Sequence, residues 1–182
     1  KNIAQHFGFN YLDTGILYRV VAYYLESNSG FSESSEQTIK GSLKLLRNKK
    51  FNINDLRNEA ITLKASLISK NKNIRSNLLN YQRKFSLQKG GAVLDGRDIG
   101  TVVCPDANVK IFVNASLETR ARRRYDQLIQ INKDINLKNI IKDLKKRDYL
   151  DKNRQHSPMV PAKDAFLLDT SNITIKEATD KI

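Results

Sequence analysis

Four short apolar runs, at residues 9–12, 92–94, 109–113 and 166–168, set the limits on what this chain can fold into. Stretches whose apolar residues recur at helical spacing alternate with them, and short apolar strands alternating with helices predict an α/β fold with a parallel sheet covered on both faces. No internal repeat and no low-complexity linker interrupts the pattern. At 182 residues one substantial core is expected, and the chain reads as a single domain.

Helical spacing is read at 1–7, stopped by Gly8, and at 16–26, where Leu17, Val20, Val21, Tyr24 and Leu25 form a stripe. Residues 27–36 are a polar connection, a short helix follows through Leu46, and 48–55 is polar and poorly patterned. From 56 to 88 two helices are expected with a break at 70–73, and this strandless stretch is the best candidate for an inserted lobe. Further helices are expected at 117–131, 136–153 and from Ile173 onward, with Pro158 and Pro161 interrupting the second of these.

Chemistry-bearing side chains gather where strands stop. Asp95-Gly96-Arg97-Asp98 follows the second apolar run, and ligands of open α/β sheets sit beyond the carboxyl ends of strands. An Asp-Gly turn with solvated charges would look the same. Asp13 and Thr14 stand at a strand-to-helix junction suited to an anion, with Arg19 one turn on, although either residue could simply cap the helix. Ser66 and Arg75 flank the break in the 56–88 stretch, where a solvent-facing position is the default. Arg120, Arg122, Arg123 and Arg124 cannot share one helix face at 100° per residue, so their surroundings must differ. Arg147, Asp151 and Arg154, spaced four and three apart, would project from one face as an ion-pair ladder or as a clamp on a phosphate and a hydroxyl.

Composition narrows the class of partner. A net charge of +13 favours nucleic acid or nucleotides, or it simply keeps the surface solvated. No apolar stretch approaches the roughly 20 residues needed to cross a bilayer. The single cysteine, Cys104, and the two histidines, His6 and His156, form neither a disulfide nor a metal-ligand pattern, so a reducing cytoplasm is expected.

In this order the blocks resemble bacterial cytidylate kinase. They run from Tyr11-Leu12-Asp13-Thr14-Gly15 with Tyr18-Arg19, through Ala65-Ser66, Ile74-Arg75 and Asp95-Gly96-Arg97-Asp98-Ile99-Gly100-Thr101, to Arg120-Ala121, Arg123-Arg124, Arg147-Asp148, Asp151, Arg154, Pro161-Ala162 and Leu168-Asp169-Thr170-Ser171. The resemblance implies a P-loop nucleoside monophosphate kinase with a monophosphate-binding insert at 56–88 and an arginine-rich lid at 117–157. It implies phosphoryl transfer from ATP to CMP or dCMP, with Mg2+. By the family pattern Ser66, Arg75 and Asp98 read cytosine, while Arg19 and Arg97 clamp the acceptor phosphate beside Asp13 and Thr14. Arg147 and Asp151 lie around the sugar, and Arg154, Arg120 and Arg124 neutralise the transferring phosphoryl. Asp95 is the magnesium-associated carboxylate, acting through water. A monomer that binds neither nucleic acid nor membrane is expected.

The family's glycine-rich phosphate loop is not found within residues 1–182, and Lys1 aligns a few positions after it. The first strand and that loop are therefore expected to be absent from this chain, and a protein beginning at Lys1 is expected to be inactive and unstable. The alternatives are a kinase of other base preference, an inactive fragment, or a basic nucleic-acid-binding protein.

Overall fold

The computed structural model describes residues 1–28, 32, 35–48, 50–130 and 133–182. Its elements run α1 (Asn2–His6), β1 (Asn10–Asp13), α2 (Thr14–Ser27), α3 (Glu36–Asn48), α4 (Ile53–Leu56), α5 (Glu59–Ile68) and α6 (Lys72–Ser86). They continue with β2 (Ala92–Asp95), a π-helical turn (Ile99–Val103), β3 (Ile111–Asn114), α7 (Leu117–Leu128), α8 (Leu137–Lys152), β4 (Phe166–Asp169) and α9 (Ile175–Asp180). The α/β class, the parallel strands and the flanking helices agree with the sequence reading.

The sheet differs from that reading. Among the described residues the strands form two separate parallel pairs, β1 with β2 and β3 with β4, instead of one continuous sheet. The registers place Asp13 opposite Asp95 and Asn114 opposite Asp169, so each pair ends on two polar residues in line. Covering is also incomplete: Val113, Phe166 and Leu167 are exposed, which a strand buried on both faces would not allow.

The main core lies beside β1. Leu17, Val21 and Ala22 of α2 pack with Ile39 of α3, Ile61, Ala65 and Ile68 of α5, and Ile74 and Leu78 of α6. The helix stripes read from spacing are therefore the buried faces, because residues three and four apart share a side. Asparagine side chains fix where three of the helices begin: Asn58 accepts from Ile61 N on α5, Asn71 from Asn73 N and Ile74 N on α6, and Asn136 from Lys138 N on α8. The break expected at 70–73 is this Asn71 cap. Gly8, at φ 68°, ends α1 as expected, in a conformation that costs glycine little.

Several boundaries move. The short α4, started by the Asn52 side chain, overlaps the end of the 48–55 stretch, and the third strand begins at Ile111, leaving Val109 exposed. The last helix starts at Ile175, because Thr174 and Glu177 form a reciprocal cap there. The expected end of α7 at Ile131 and much of the 27–36 connection lie outside the described residues. No helix among those described is long and apolar enough to cross a membrane.

Candidate active site

Strand ends build the floor of the site. Asp13 closes β1 and Asp95 closes β2, and the Thr14 hydroxyl donates to the Asp95 carbonyl oxygen at 2.8 Å, tying the start of α2 to the end of β2. Gly96 allows that approach: a Cβ there would stand 2.3 Å from Thr14 Oγ1 and 2.8 Å from Ile99 Cδ1. Gly96→Ala is accordingly expected to break the Thr14 bond and cost about 1–3 kcal/mol, the usual range for overpacking. Urea unfolding of the two forms measures it, and an unchanged midpoint would show that the junction can yield.

Above this floor, α2, α5, α6, the π-turn and the end of α8 surround a cavity of about 640 Å³. Asp13, Thr14, Arg19, Ser66, Arg75, Asp95, Arg97, Asp98, Arg120, Arg147, Asp151 and Arg154 all line it. Twelve of the thirteen residues named from the sequence are therefore neighbours in space. The exception is Arg124, whose guanidinium instead donates to the Arg57 carbonyl oxygen at 3.4 Å.

The side chains form an acid–base lattice around an apolar rim. Arg75 pairs with Asp98 while its guanidinium carbon sits 5.7 Å from the centre of the Tyr18 ring. Arg154 reaches toward Asp98 at 4.0 Å and Asp151 at 3.8 Å, and its Nε donates to the Ser157 carbonyl oxygen at 2.6 Å. Ser157 holds a left-handed conformation at φ 55°, unusual for a residue other than glycine. Arg97 stands 3.2 Å from Asp151 and contacts Met159 Sδ at the same distance; Arg147 is 3.9 Å from Asp151. Arg19 binds Asp13 at 2.6 Å, and Arg120 binds Asp148 at 2.8 Å.

Positive charge exceeds what these acids can satisfy. Burial, then the neighbouring Arg97 charge, push the Arg147 guanidinium down to about 10, and burial followed by Arg75 lowers Arg154 as well. Tyr11 is pushed up to about 12, first by burial and then by the Asp95 and Asp13 carboxylates; its hydroxyl donates to Asp95 Oδ2 at 3.3 Å. Five buried side-chain atoms among the described residues have no hydrogen-bond partner: Arg19 Nε, Ser66 Oγ, Arg147 Nε, Asp151 Oδ2 and Arg154 Nη2. All five belong to this cavity. Asp151 Oδ2 has only its ion-pair contacts with Arg97 and Arg147, and native proteins rarely bury polar atoms without a hydrogen bond, which a polar ligand is one way to supply.

The helix-face argument for the last clamp needs correction. α8 ends at Lys152 and Asn153 caps it, so Arg154 lies beyond the helix, 3.8 Å from Asp151 and bonded through Nε to the Ser157 carbonyl oxygen. The four arginines near the start of α7 do diverge as spacing demands. Arg120 faces the cavity, Arg122 pairs with Asp126 in solvent, Arg123 binds the Thr170 and Ile173 carbonyl oxygens, and Arg124 points to Arg57. Met159 is not named by the sequence reading, and Asp148 and Tyr11 stand there only within motif blocks, without a role in the site. Asp148, next to Arg147 and within a helical stretch, had a charge pattern that could have marked it; Met159 in its loop had none.

Among the described residues no three His, Cys, Asp or Glu side chains converge as ligands. Asp95, exposed at the cavity floor, offers one carboxylate, which suits Mg2+, an ion that keeps waters and shares phosphate ligands.

A family model described as Cytidylate kinase matches residues 1–182. A curated protein named cytidylate kinase from Fusobacterium nucleatum is 41% identical, covering 100% of this chain and 87% of its own length. Proteins of the same name from Bradyrhizobium diazoefficiens and Sinorhizobium medicae are 42% and 43% identical, each over 97% of this chain and 82% of theirs. Kinship along the whole length and a cavity assembled from the residues that carry the motif agree, and the chain belongs to the cytidylate kinase family.

Proposed function

We propose that this chain binds CMP or dCMP in the cavity and, in the full-length protein, transfers a phosphoryl group to it from ATP. The observation that carries this reading is the convergence of twelve motif residues on one arginine-rich cavity, five of them with a buried polar atom that makes no hydrogen bond. In this reading Ser66, Arg75 and Asp98 hold the base: a carboxylate or hydroxyl accepts from the exocyclic amine of cytosine, and a guanidinium donates to its ring carbonyl and nitrogen. Arg19 and Arg97, with Asp13 and Thr14 behind them, hold the acceptor phosphate. Arg147 and Asp151 flank the sugar, and Arg120 and Arg154 neutralise the charge that develops during transfer. Arg124 joins them only if α7 moves.

Residues 56–88 act as the monophosphate-binding insert and 117–157 as the lid, whose closure excludes water. Mg2+ held beside Asp95 would screen the phosphates, and ATP supplies the phosphoryl group. The donor phosphates call for a glycine-rich loop, which is not within residues 1–182. We place the protein in the cytoplasm as a monomer, with nucleotides rather than nucleic acid as partners. The cavity's cations alternate with acids, whereas a nucleic-acid groove would interleave basic residues with aromatic ones.

Binding has a thermodynamic signature. The Arg147 guanidinium holds its proton less tightly folded than unfolded, so its cost is present in full at neutral pH and is relieved only as pH rises through about 10. A phosphate placed beside it relieves that cost at neutral pH. CMP at about 100 times its Kd is expected to add about 2.7 kcal/mol of stability, raising Tm by roughly 5–10 °C. Cytidine, without the phosphate, is expected to add far less. The decisive assay is magnesium-dependent formation of CDP by the full-length protein; no product with any monophosphate would overturn the reading.

A further inference from the structure

Arg83 lies outside the cavity, yet it grips the segment that shapes it. From α6 its Nε donates to the Val103 carbonyl oxygen at 3.1 Å and its Nη2 to the Val102 carbonyl oxygen at 2.9 Å. These carbonyls close the π-turn Ile99–Val103, where a helix leaves its last acceptors without partners of its own. A cation is favoured at such an end. At the other end of the same turn stands Asp98, whose carbonyl oxygen accepts from Val102 N at 2.9 Å and Val103 N at 3.2 Å. The Asp98 side chain is held by Arg75, also on α6. One helix thus grips the turn at both ends, through two arginines about 12 Å apart along its axis.

The two grips differ in what a substrate does to them. If Arg75 and Asp98 read the base, an entering cytosine takes hydrogen bonds from both, and their mutual pairing loosens. The Arg83 bonds go to backbone oxygens remote from the cavity, so they persist while the first pair changes partners. π-turns are rare and concentrate at functional positions; the other backbone bonds of this one, from Val102 N and Val103 N to Asp98 and from Cys104 N to the Ile99 carbonyl oxygen at 2.7 Å, lie within the turn and do not tie it to α6.

We propose that Arg83 is a positioning residue for base selection: by fixing the far end of the π-turn it keeps Asp98 aimed at the exocyclic group that distinguishes cytosine from uracil. This rests on the base-reading role given above to Asp98. Loss of the tether frees the Asp98 carboxylate to swing, and discrimination falls more than turnover does.

The test is the ratio of kcat/KM for CMP to that for UMP in the full-length protein. Arg83→Met is expected to lower that ratio about tenfold, chiefly through a higher KM for CMP, with kcat for CMP within about threefold. A purely structural loss would reduce active enzyme and depress both substrates equally, leaving the ratio unchanged and overturning the proposal. Arg83→Lys keeps a cation but not a fork that spans two carbonyls. Its ratio is expected to fall at least threefold, which decides the matter if the methionine variant does not fold. Asp98→Asn serves as the reference. If it lowers the ratio while neither Arg83 variant does, the positioning role is wrong; if it leaves the ratio unchanged, the base-reading role fails and the inference with it.

Discussion

Arg154→Met in the full-length protein is expected to lower kcat for CMP by about 10²–10³-fold, the range seen when one preorganised donor to developing charge is removed. The KM for CMP is expected to change by less than about threefold, because the contact strengthens as charge develops on the transferring group. The geometry motivates the size of the effect. Arg154 is buried, its Nη2 has no hydrogen-bond partner, and Asp98 and Asp151 stand only at 3.8–4.0 Å. Burial and the Arg75 charge both lower its proton affinity, so the resting site holds a cation it does not fully satisfy. Arg154→Lys is expected to restore little, since an ammonium cannot keep the Nε bond to Ser157 and still present a second nitrogen to the cavity. Steady-state kinetics with CMP varied at saturating ATP measure this, and a kcat within tenfold of the parent protein would remove Arg154 from the chemistry.

Asp98→Ala is expected to be the most destabilising change in the site. Asp98 is buried, pairs with Arg75 and lies 4.0 Å from Arg154. Without it two guanidiniums face each other in a partly dry space, and breaking a buried pair by removing one partner costs about 3–5 kcal/mol. With urea slopes of roughly 1–3 kcal/mol per molar, the unfolding midpoint should fall by at least about 1 M. Asp98→Asn keeps the shape and one acceptor and is expected to lose less. A midpoint unchanged by Asp98→Ala would mean that the two arginines are solvated enough to need no carboxylate. CMP should stabilise the alanine variant less than the parent, because the acceptor proposed for the exocyclic amine is gone.

The two substitutions separate roles that charge alone would merge. Arg154 would act on the transition state and Asp98 on recognition and on the resting lattice, so one changes kcat and the other stability and substrate choice. Arg83 adds a third kind of dependence, in which a residue far from the nucleotide is felt through the shape of a turn.

Much of this was legible in the residue order. Apolar runs ending in Asp13, Asp95, Asn114 and Asp169 became strands ending on one chemistry, because a strand leaving a sheet must put its next side chain at the rim. The buried stripes of α2, α5 and α6 followed from a repeat of 3.6. The asparagine caps that set three helix starts are absent from the sequence reading, which starts the 56–88 helices three residues before the Asn58-capped start of α5. The motif named the cavity residues, and all but Arg124 line it.

What tertiary structure alone decided is how distant parts meet. Helical spacing showed that the arginines of α7 diverge, but not that Arg120 would face the cavity and Arg124 the carbonyl of Arg57, since a period fixes angles about an axis and not what lies outside it. Arg154 lies beyond the end of α8 and is held by the carbonyl oxygen of the left-handed Ser157, and the π-turn has no periodic signature in five residues. The split into two strand pairs likewise depends on backbone partners rather than on any pattern within a strand. Residue order therefore determined the elements and the chemistry at their ends, while packing determined which charges share a space, because electrostatic pairing acts across distances that local sequence does not encode.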